Sequence, residues 1–265
     1  MAGSIPFTKA SACGNDFVII EGLHAPADMA AFTRRICDRH AGVGADGVEW
    51  LFPDQKNQAD VRARLFNADG SEAEISGNGT RCVAAYWISQ NGGDSVSVRT
   101  GAGIKHCALV SGDGHFQFRT NMGVPMVGEE FPIKVAFGEV RGVPVSMGNP
   151  HFVVFVEEFV PGWPGEAAEI GRHHDFKHGI NVEFVRVVDP KQIEVRFYER
   201  GVGETLSSGT GSCAAAVASV ASGKTTSPVE VRAPGGSQKV EWQCLEDQVM
   251  LTGPAELVCR GEFFV

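Results

Sequence analysis

Apolar residues along this 265-residue chain follow two patterns. Two stretches of small apolar residues, CVAAYWIS (82–89) and CAAAVASVAS (213–222), predict helices. Short runs rich in β-branched and aromatic residues predict strands, namely PHFVVFV (150–156), INVEFVRVV (180–188) and QIEVRFY (192–198). Many strands and few helices indicate the α+β class, and 33 glycines and 13 prolines fit a chain with many tight turns.

The same features recur in the same order at about half the chain length. The Gly-Asn pair that contains Asn15 returns at Asn149, 134 positions later. A Ser-Gly-x-Gly run begins at Ser76 and again at Ser208, 132 positions later. In both copies an aromatic residue lies ten positions before the serine and a glutamate lies four before it. Ordered matches at nearly one offset indicate a duplicated fold.

We therefore predict two pseudo-symmetric halves, residues 1–130 and 131–265, whose last strands could cross back to the first half. Ligand sites favour such domain interfaces, so we expect an active site in the cleft between the halves, with Ser76 and Ser208 on opposite walls. Each serine precedes a helix start, where free N–H groups bind an anion such as a carboxylate. The simpler interpretation is that each serine is only an N-cap followed by a glycine turn.

Composition narrows the choice of partner. A net charge of −9 and a pI near 5.4 argue against nucleic acid and anionic membrane, which both favour a basic face. The first residues, MAGSIPFTKA, lack the apolar region of a secretory signal. Seven scattered cysteines without a CxxC pair indicate reduced thiols in the cytoplasm. No Cys/His cluster has zinc spacing, and the His174-Asp175 segment is typical of a solvated surface, so we expect no metal.

Two facing acid–base groups suit a racemase or epimerase. Such an enzyme removes a proton from one face of a carbon and returns one to the other face. The α-C–H of an amino acid is a very weak acid, so strong donors must bind the carboxylate as charge builds up on it. Two helix N-termini directed at one carboxylate would supply those donors.

Five motifs carry a resemblance to a known family. They are GNDFV, FNADGSEAE-x-x-GNG-x-RC, GNPH, INVEF and ERGVGET-x-x-x-GTG-x-C, in order from residue 14 to about 216. Together they resemble the diaminopimelate epimerases, which use no cofactor. The resemblance implies two halves, each a β-barrel-like sheet around a central helix, and interconversion of LL- and meso-diaminopimelate in lysine and peptidoglycan biosynthesis. The partner is then a small amino-acid substrate, while a homodimer stays open.

The resemblance also assigns roles to residues. It implies that His151 and Glu199 lie beside the reacting centre and that Arg200 holds the distal end of the substrate, since arginine binds a carboxylate bidentately. Amides can meet both the donors and the acceptors of such a substrate. The substrate-binding residues that it implies are Asn15, Asn67, Gly77, Asn78, Asn149, Asn181, Glu199, Arg200, Gly209 and Thr210.

The chain departs from the family at the two reacting positions. Ser76 and Ser208 stand where the family has cysteines, and a serine hydroxyl is a far weaker acid that needs a neighbouring base. His151 and Glu199 are the candidates for that base. Several interpretations stay open: a natural serine enzyme, an engineered Cys-to-Ser form that traps substrate, an inactive homologue that only binds, or a related proline, hydroxyproline or other amino-acid racemase.

Overall fold

The computed structural model describes residues 3–112 and 115–265 and has the α+β class that the sequence predicts. Its helices are α1 (Met29–Cys37), α2 (Gly77–Asn91), α3 (Trp163–Gly171) and α4 (Gly209–Ala221). Its strands are β1 (Ser4–Ala12), β2 (Asn15–Glu21), β3 (Gly47–Phe52), β4 (Val61–Asn67), β5 (Glu72–Ala73), β6 (Ser95–Thr100), β7 (Gly103–Ser111), β8 (Phe116–Asn121), β9 (Met126–Val127), β10 (Phe131–Val135), β11 (Gly138–Ser146), β12 (Pro150–Phe155), β13 (Asn181–Asp189), β14 (Gln192–Glu199), β15 (Gly203–Thr205), β16 (Val229–Ala233), β17 (Gly236–Glu241) and β18 (Met250–Phe264). Within the described residues, no helix has the length and apolar character needed to cross a membrane.

The chain divides into two compact units. Unit 1 consists of Met1–Thr120 and Gly253–Val265, and unit 2 consists of Asn121–Thr252. The 15-residue strand β18 contributes its first residues to unit 2 and the remainder to unit 1.

Unit 1 is a closed barrel around α2. Its strands pair in the order β1, β2, β3, β4, β6, β7, β8 and β18, and β18 pairs back with β1. The pairs β2–β3 and β4–β6 are parallel. Cys82, Val83, Ala84 and Ala85 of α2 are fully buried in the core that the strands enclose. An eight-stranded barrel has little interior space, which explains the small residues of this helix.

Unit 2 repeats this plan around α4. Its strands pair in the order β9, β11, β12, β13, β14, β16, β17 and β18, with β12–β13 and β14–β16 parallel as their counterparts are in unit 1. Reciprocal backbone hydrogen bonds between residues 122–123 and Val249 join the two ends of this order. Residues 213–218 of α4 are all buried. The sequence repeat therefore corresponds to a structural repeat.

A second helix covers the outer face of each barrel. In unit 1, Val48 and Trp50 of β3 pack with α1, while Leu51 faces α2. In unit 2, Val182 and Phe184 of β13 pack with α3. Strands β3 and β13 are thus buried on both faces.

The tight enclosure of α4 predicts a steep cost for enlarging it. We expect Ala215→Leu to lower the free energy of unfolding by about 3 kcal/mol, because Ala215 is fully buried and added methylenes overpack a close-packed core. Urea denaturation would measure the change. Ala221→Leu is the matched control, since Ala221 is exposed at the end of the same helix and should change stability little. Equal effects of the two substitutions would contradict the enclosed packing.

Candidate active site

Both Ser-Gly-x-Gly runs form the N-terminus of a central helix. Ser76 precedes α2 in an extended conformation, and its Oγ accepts a hydrogen bond from the Gly79 N–H at 3.1 Å. Ser208 caps α4 in the same way, accepting from the Gly211 N–H at 3.2 Å. Both serines are therefore N-caps. The first N–H groups of each helix still lack intrahelical partners and can bind an anion.

In unit 2, the capping serine also contacts a carboxylate. Ser208 Oγ donates a hydrogen bond to Glu199 Oε2 at 3.2 Å. Ser208 is 5% exposed, and Glu199 is half-buried at the end of β14. The structure thus brings together two of the residues predicted from the sequence and gives this serine a base within hydrogen-bonding distance.

A chain of polar side chains runs from the start of α4 into the core of unit 2. Asn149 Nδ2 donates to Thr210 Oγ1 at 3.3 Å, and Asn149 Oδ1 lies 3.0 Å from His151 Nε2. His151 Nδ1 lies 2.7 Å from Glu183 Oε1. His151 and Glu183 are 1% and 0% exposed. The chain therefore fixes the His151 ring through both of its nitrogens.

The hydrogen-bond partners of His151 indicate where its ring hydrogen lies. Asn149 Nδ2 already donates to Thr210, so Asn149 Oδ1 is the acceptor and His151 Nε2 carries hydrogen. Burial raises the pKa of Glu183, although contact with His151 opposes the shift. Burial thus favours the protonated form of Glu183.

Asn181 and Arg200 form a neighbouring group in unit 2. Asn181 Nδ2 donates to the Pro150 carbonyl at 2.8 Å, and Asn181 Oδ1 accepts from the Arg200 backbone N–H at 2.9 Å. The Arg200 guanidinium is exposed and donates one hydrogen bond to the His178 carbonyl at 3.2 Å. An arginine has five N–H donors, so this exposed side chain has donors left to bind a carboxylate.

In unit 1, the helix start is linked to the Gly-Asn turn. Asn78 Nδ2 donates to Asn15 Oδ1 at 2.6 Å, and Asn15 Nδ2 donates to Asp46 Oδ2 at 3.1 Å. Asn78 Oδ1 accepts from Arg81 Nη2 at 2.5 Å. Arg81 is 1% exposed and also donates to the Gly77 carbonyl at 3.3 Å. The buried guanidinium thus orients the amides at the start of α2, a role that the sequence did not reveal.

The two helix starts differ in their neighbours. Glu199 lies nine positions before Ser208, and Asn67 occupies the equivalent position nine before Ser76. Asn67 Nδ2 donates to Ser71 Oγ at 3.1 Å within an exposed turn. The structure therefore gives Asn67 a local hydrogen bond and leaves its role toward a substrate a prediction.

A buried glutamate lies beneath each helix start, and sequence reasoning assigned neither. Glu49 is 3% exposed on β3, and Glu183 is the equivalent residue on β13, 134 positions later. A Cβ on Gly211 would meet Glu183 Oε1 at 2.9 Å, and one on Gly79 would clash with Glu49 Oε1. The second glycine of each Ser-Gly-x-Gly run therefore makes room for this carboxyl group. The sequence did carry a signal for these two residues, since Glu49 and Glu183 are single acids separated by 134 positions, the offset of the repeat.

The cysteines inside the central helices are packing residues. Cys82 and Cys213 are fully buried, and burial raises the pKa of the Cys82 thiol above its usual range. Both lie inside their helices, beyond the first turns that Ser76 and Ser208 cap. The His173, His174 and Asp175 ligand atoms lie within 4.8 Å of one another in a non-helical segment, where His174 and Asp175 are exposed.

The burial of Glu49 predicts a pH-dependent stability. Desolvation raises the pKa of Glu49 to about 8, compared with 4.5 in the unfolded chain. The folded state therefore keeps a proton that the unfolded chain releases, and its stabilising effect is lost as pH rises from about 4.5 to about 8. Glu49→Gln removes this titration. We expect the unfolding free energy of the variant, relative to wild type, to increase by about 1 kcal/mol per pH unit in that range.

Urea denaturation at several pH values would measure this difference. Glu21→Gln is the control, because Glu21 is exposed on the neighbouring strand β2. Parallel stability curves for wild type and Glu49→Gln would contradict a raised pKa of Glu49.

Comparison with solved structures supports the fold. A phenazine biosynthesis protein of the PhzF family from Bacillus anthracis matches with a TM-score of 0.73 and 19% identity, covering 99% of this chain and 100% of that chain. A hydroxyproline epimerase from Agrobacterium vitis, solved with bound trans-4-hydroxy-L-proline, matches with a TM-score of 0.72 and 17% identity, covering 98% and 91%.

Sequence comparison gives the family. The family model of diaminopimelate epimerase matches residues 7–127 and 143–258. Diaminopimelate epimerases from Moorella thermoacetica and Desulforudis audaxviator are 39% and 42% identical to this chain, and each alignment covers 97% of this chain and 98% of the relative. These matches extend over nearly the whole chain, and they show that it belongs to the diaminopimelate epimerase family.

Proposed function

We propose that this isomerase interconverts LL- and meso-diaminopimelate with serines at the positions where the family resemblance implies cysteines. The observation that carries the proposal is the contact between Ser208 Oγ and Glu199 Oε2, 3.2 Å apart at the start of α4. A serine needs a neighbouring base to take part in proton transfer, and Glu199 supplies one.

The helix starts bind the carboxylate beside the reacting carbon. The N–H groups of Gly209 and Thr210 lie in the first turn of α4, and those of Gly77 and Asn78 lie in the first turn of α2. Fixed donors of this kind stabilise the charge that develops on a carboxylate when the adjacent C–H bond breaks.

Proton removal uses the Ser208–Glu199 pair. As the α-C–H bond breaks, its proton passes to Ser208 Oγ while the hydroxyl proton of Ser208 passes to Glu199 Oε2. The electron pair of the broken bond spreads into the bound carboxylate. The serine is thus neutral before and after the step, so a free alkoxide never forms.

Proton return uses the other helix start. Ser76 delivers its hydroxyl proton to the opposite face of the α-carbon, which inverts the configuration, and a neighbouring acid replaces that proton on Ser76 Oγ. This step requires both helix starts to reach one α-carbon, and that requirement is part of the proposal.

The distal half of the substrate is assigned to Arg200. Its exposed guanidinium has donors for a second carboxylate, and Asn181 anchors its backbone at 2.9 Å. Diaminopimelate has such a carboxylate at its far end, whereas proline does not. This difference favours diaminopimelate over proline or hydroxyproline as the substrate.

Deuterium exchange tests the chemistry directly. We expect the wild-type protein, incubated with LL-diaminopimelate in D₂O, to form the meso isomer with deuterium at the inverted α-carbon, as followed by NMR. Glu199→Gln should slow this at least 100-fold, roughly the contribution of one general base. Glu194→Gln is the control, since Glu194 lies on the same strand and pairs with Arg186.

A Ser76→Cys/Ser208→Cys variant separates the open interpretations. Exchange by the wild type supports the serine mechanism. Exchange by the double variant alone would identify the chain as an inactive or trapped form with an intact pocket. If neither protein exchanges the α-hydrogen of diaminopimelate, the substrate assignment is wrong. Exchange of the α-hydrogen of hydroxyproline or proline instead would place the activity with those racemases.

Substitution of Arg200 tests the distal site. We expect Arg200→Met to weaken binding of diaminopimelate about 30-fold, the loss of roughly one charged hydrogen-bonding pair, in calorimetric titration. Lysine lacks the distal carboxylate, so the variant should leave its weaker binding unchanged. Arg186→Met is the matched control, because Arg186 pairs with Glu194 on the adjacent strand. An equal loss for both ligands would contradict the assignment.

A further inference from the structure

The helix start of unit 1 has no counterpart of the histidine and the glutamate, His151 and Glu199, that unit 2 carries. In unit 2, His151 of β12 pairs with Asn181 of β13. The corresponding pair in unit 1 is Phe17 of β2 with Gly47 of β3, so a phenylalanine stands where unit 2 has a histidine. Asn67 stands at the sequence position that corresponds to Glu199. Neither Phe17 nor Asn67 can exchange a proton near neutral pH, so Ser76 needs another partner.

Glu49 is the titratable side chain best placed to be that partner. It shares its strand face with Leu51, which packs toward α2, and Val48 and Trp50 occupy the opposite face of β3. A Cβ on Gly79 would clash with Glu49 Oε1 and would lie 3.2 Å from Ser76 Cβ. Both side chains therefore adjoin the same small space at the first turn of α2.

The side chains around Glu49 favour its neutral, protonated form at the first turn of α2. The strands on either side of it pair Ile19 and Leu65 with Glu49 and contribute Phe17 and Ala63 to the same apolar core. The charged or ionisable groups that act on the neighbouring Cys82 are Glu49 itself, Arg81 of α2, and Cys13 and Asp16 at the Gly-Asn turn. Arg81 is already engaged by Asn78 and by the Gly77 and Pro254 carbonyls. Glu49 is thus left without an ion-pair partner in the described part of the chain.

We propose that Glu49 holds the proton that Ser76 delivers to the substrate, and so takes in unit 1 the part that Glu199 takes in unit 2. This inference rests on the proposed function. Glu49 acts through Ser76 and is a positioning residue that does not touch the substrate. The transfer requires a rotation of one side chain or one bridging water at Gly79.

The proton balance follows from this arrangement. The Ser76 hydroxyl proton forms the new α-C–H bond, and the Glu49 carboxyl proton replaces it on Ser76 Oγ. Glu49 becomes a carboxylate while Glu199 becomes a carboxylic acid. Exchange with water, or the reverse reaction on the other isomer, restores both groups.

The test compares inversion with isotope exchange in Glu49→Gln. The amide keeps the size and neutrality of the protonated side chain but cannot release a proton. We expect inversion to fall about 100-fold, with a change in KM of less than about twofold, while one of the two isomers still exchanges its α-hydrogen for deuterium through Glu199. Glu21→Gln, exposed on β2, should behave as wild type.

Glu49→Asp distinguishes a proton role from a packing role. Aspartate leaves a gap but keeps an acid, so a proton role ranks Asp above Gln in inversion rate, whereas a packing role ranks Gln above Asp. Inversion by Glu49→Gln at the wild-type rate, or equal loss of inversion, exchange and binding, overturns the inference and leaves the proposed function standing. Absence of both exchange and inversion in the wild type instead refutes the proposed function.

Discussion

Enclosure of one helix by a closed ring of strands is the constraint on which each unit depends. The barrel interior accepts α4 only because residues 213–218 are small and apolar, and it accepts α2 through Cys82 and the small residues after it. A helix buried along its length satisfies its backbone internally and exposes polar groups only at its ends. The first turn is therefore the place where each barrel can present N–H groups to a ligand.

The same enclosure explains the glycines. A carboxyl group on the strand beneath the helix start can fit only where the helix has no side chain, and Gly79 and Gly211 provide that space over Glu49 and Glu183. The Ser-Gly-x-Gly run thus combines a cap, a free helix start and access to a buried acid. The two units carry this arrangement once each, with His151 in unit 2 and Phe17 in unit 1 at the corresponding register position.

The sequence predicted those features for which the two halves have identical residues at corresponding positions. The capping serines and the central helices were predictable because identical residues recur at matching positions. The outer helices α1 and α3 also begin 134 positions apart, yet the sequence did not show this repeat, because an outer helix needs only an apolar face and the two helices have different residues. Glu49 was missed for another reason. A lone acid in a strand predicts exposure, and its burial depends on α2, which is distant in sequence.

Strand β18 has a consequence for how the chain becomes a folded molecule. Its residues from Gly253 onward close the barrel of unit 1 against Ser4–Ala12, about 250 positions away in the chain. During translation, the barrel of unit 1 therefore lacks its last strand until the whole of unit 2 has been synthesised. Unit 2 lacks such a delay, since its own strands are complete at Thr252. The unit made second can thus finish folding first.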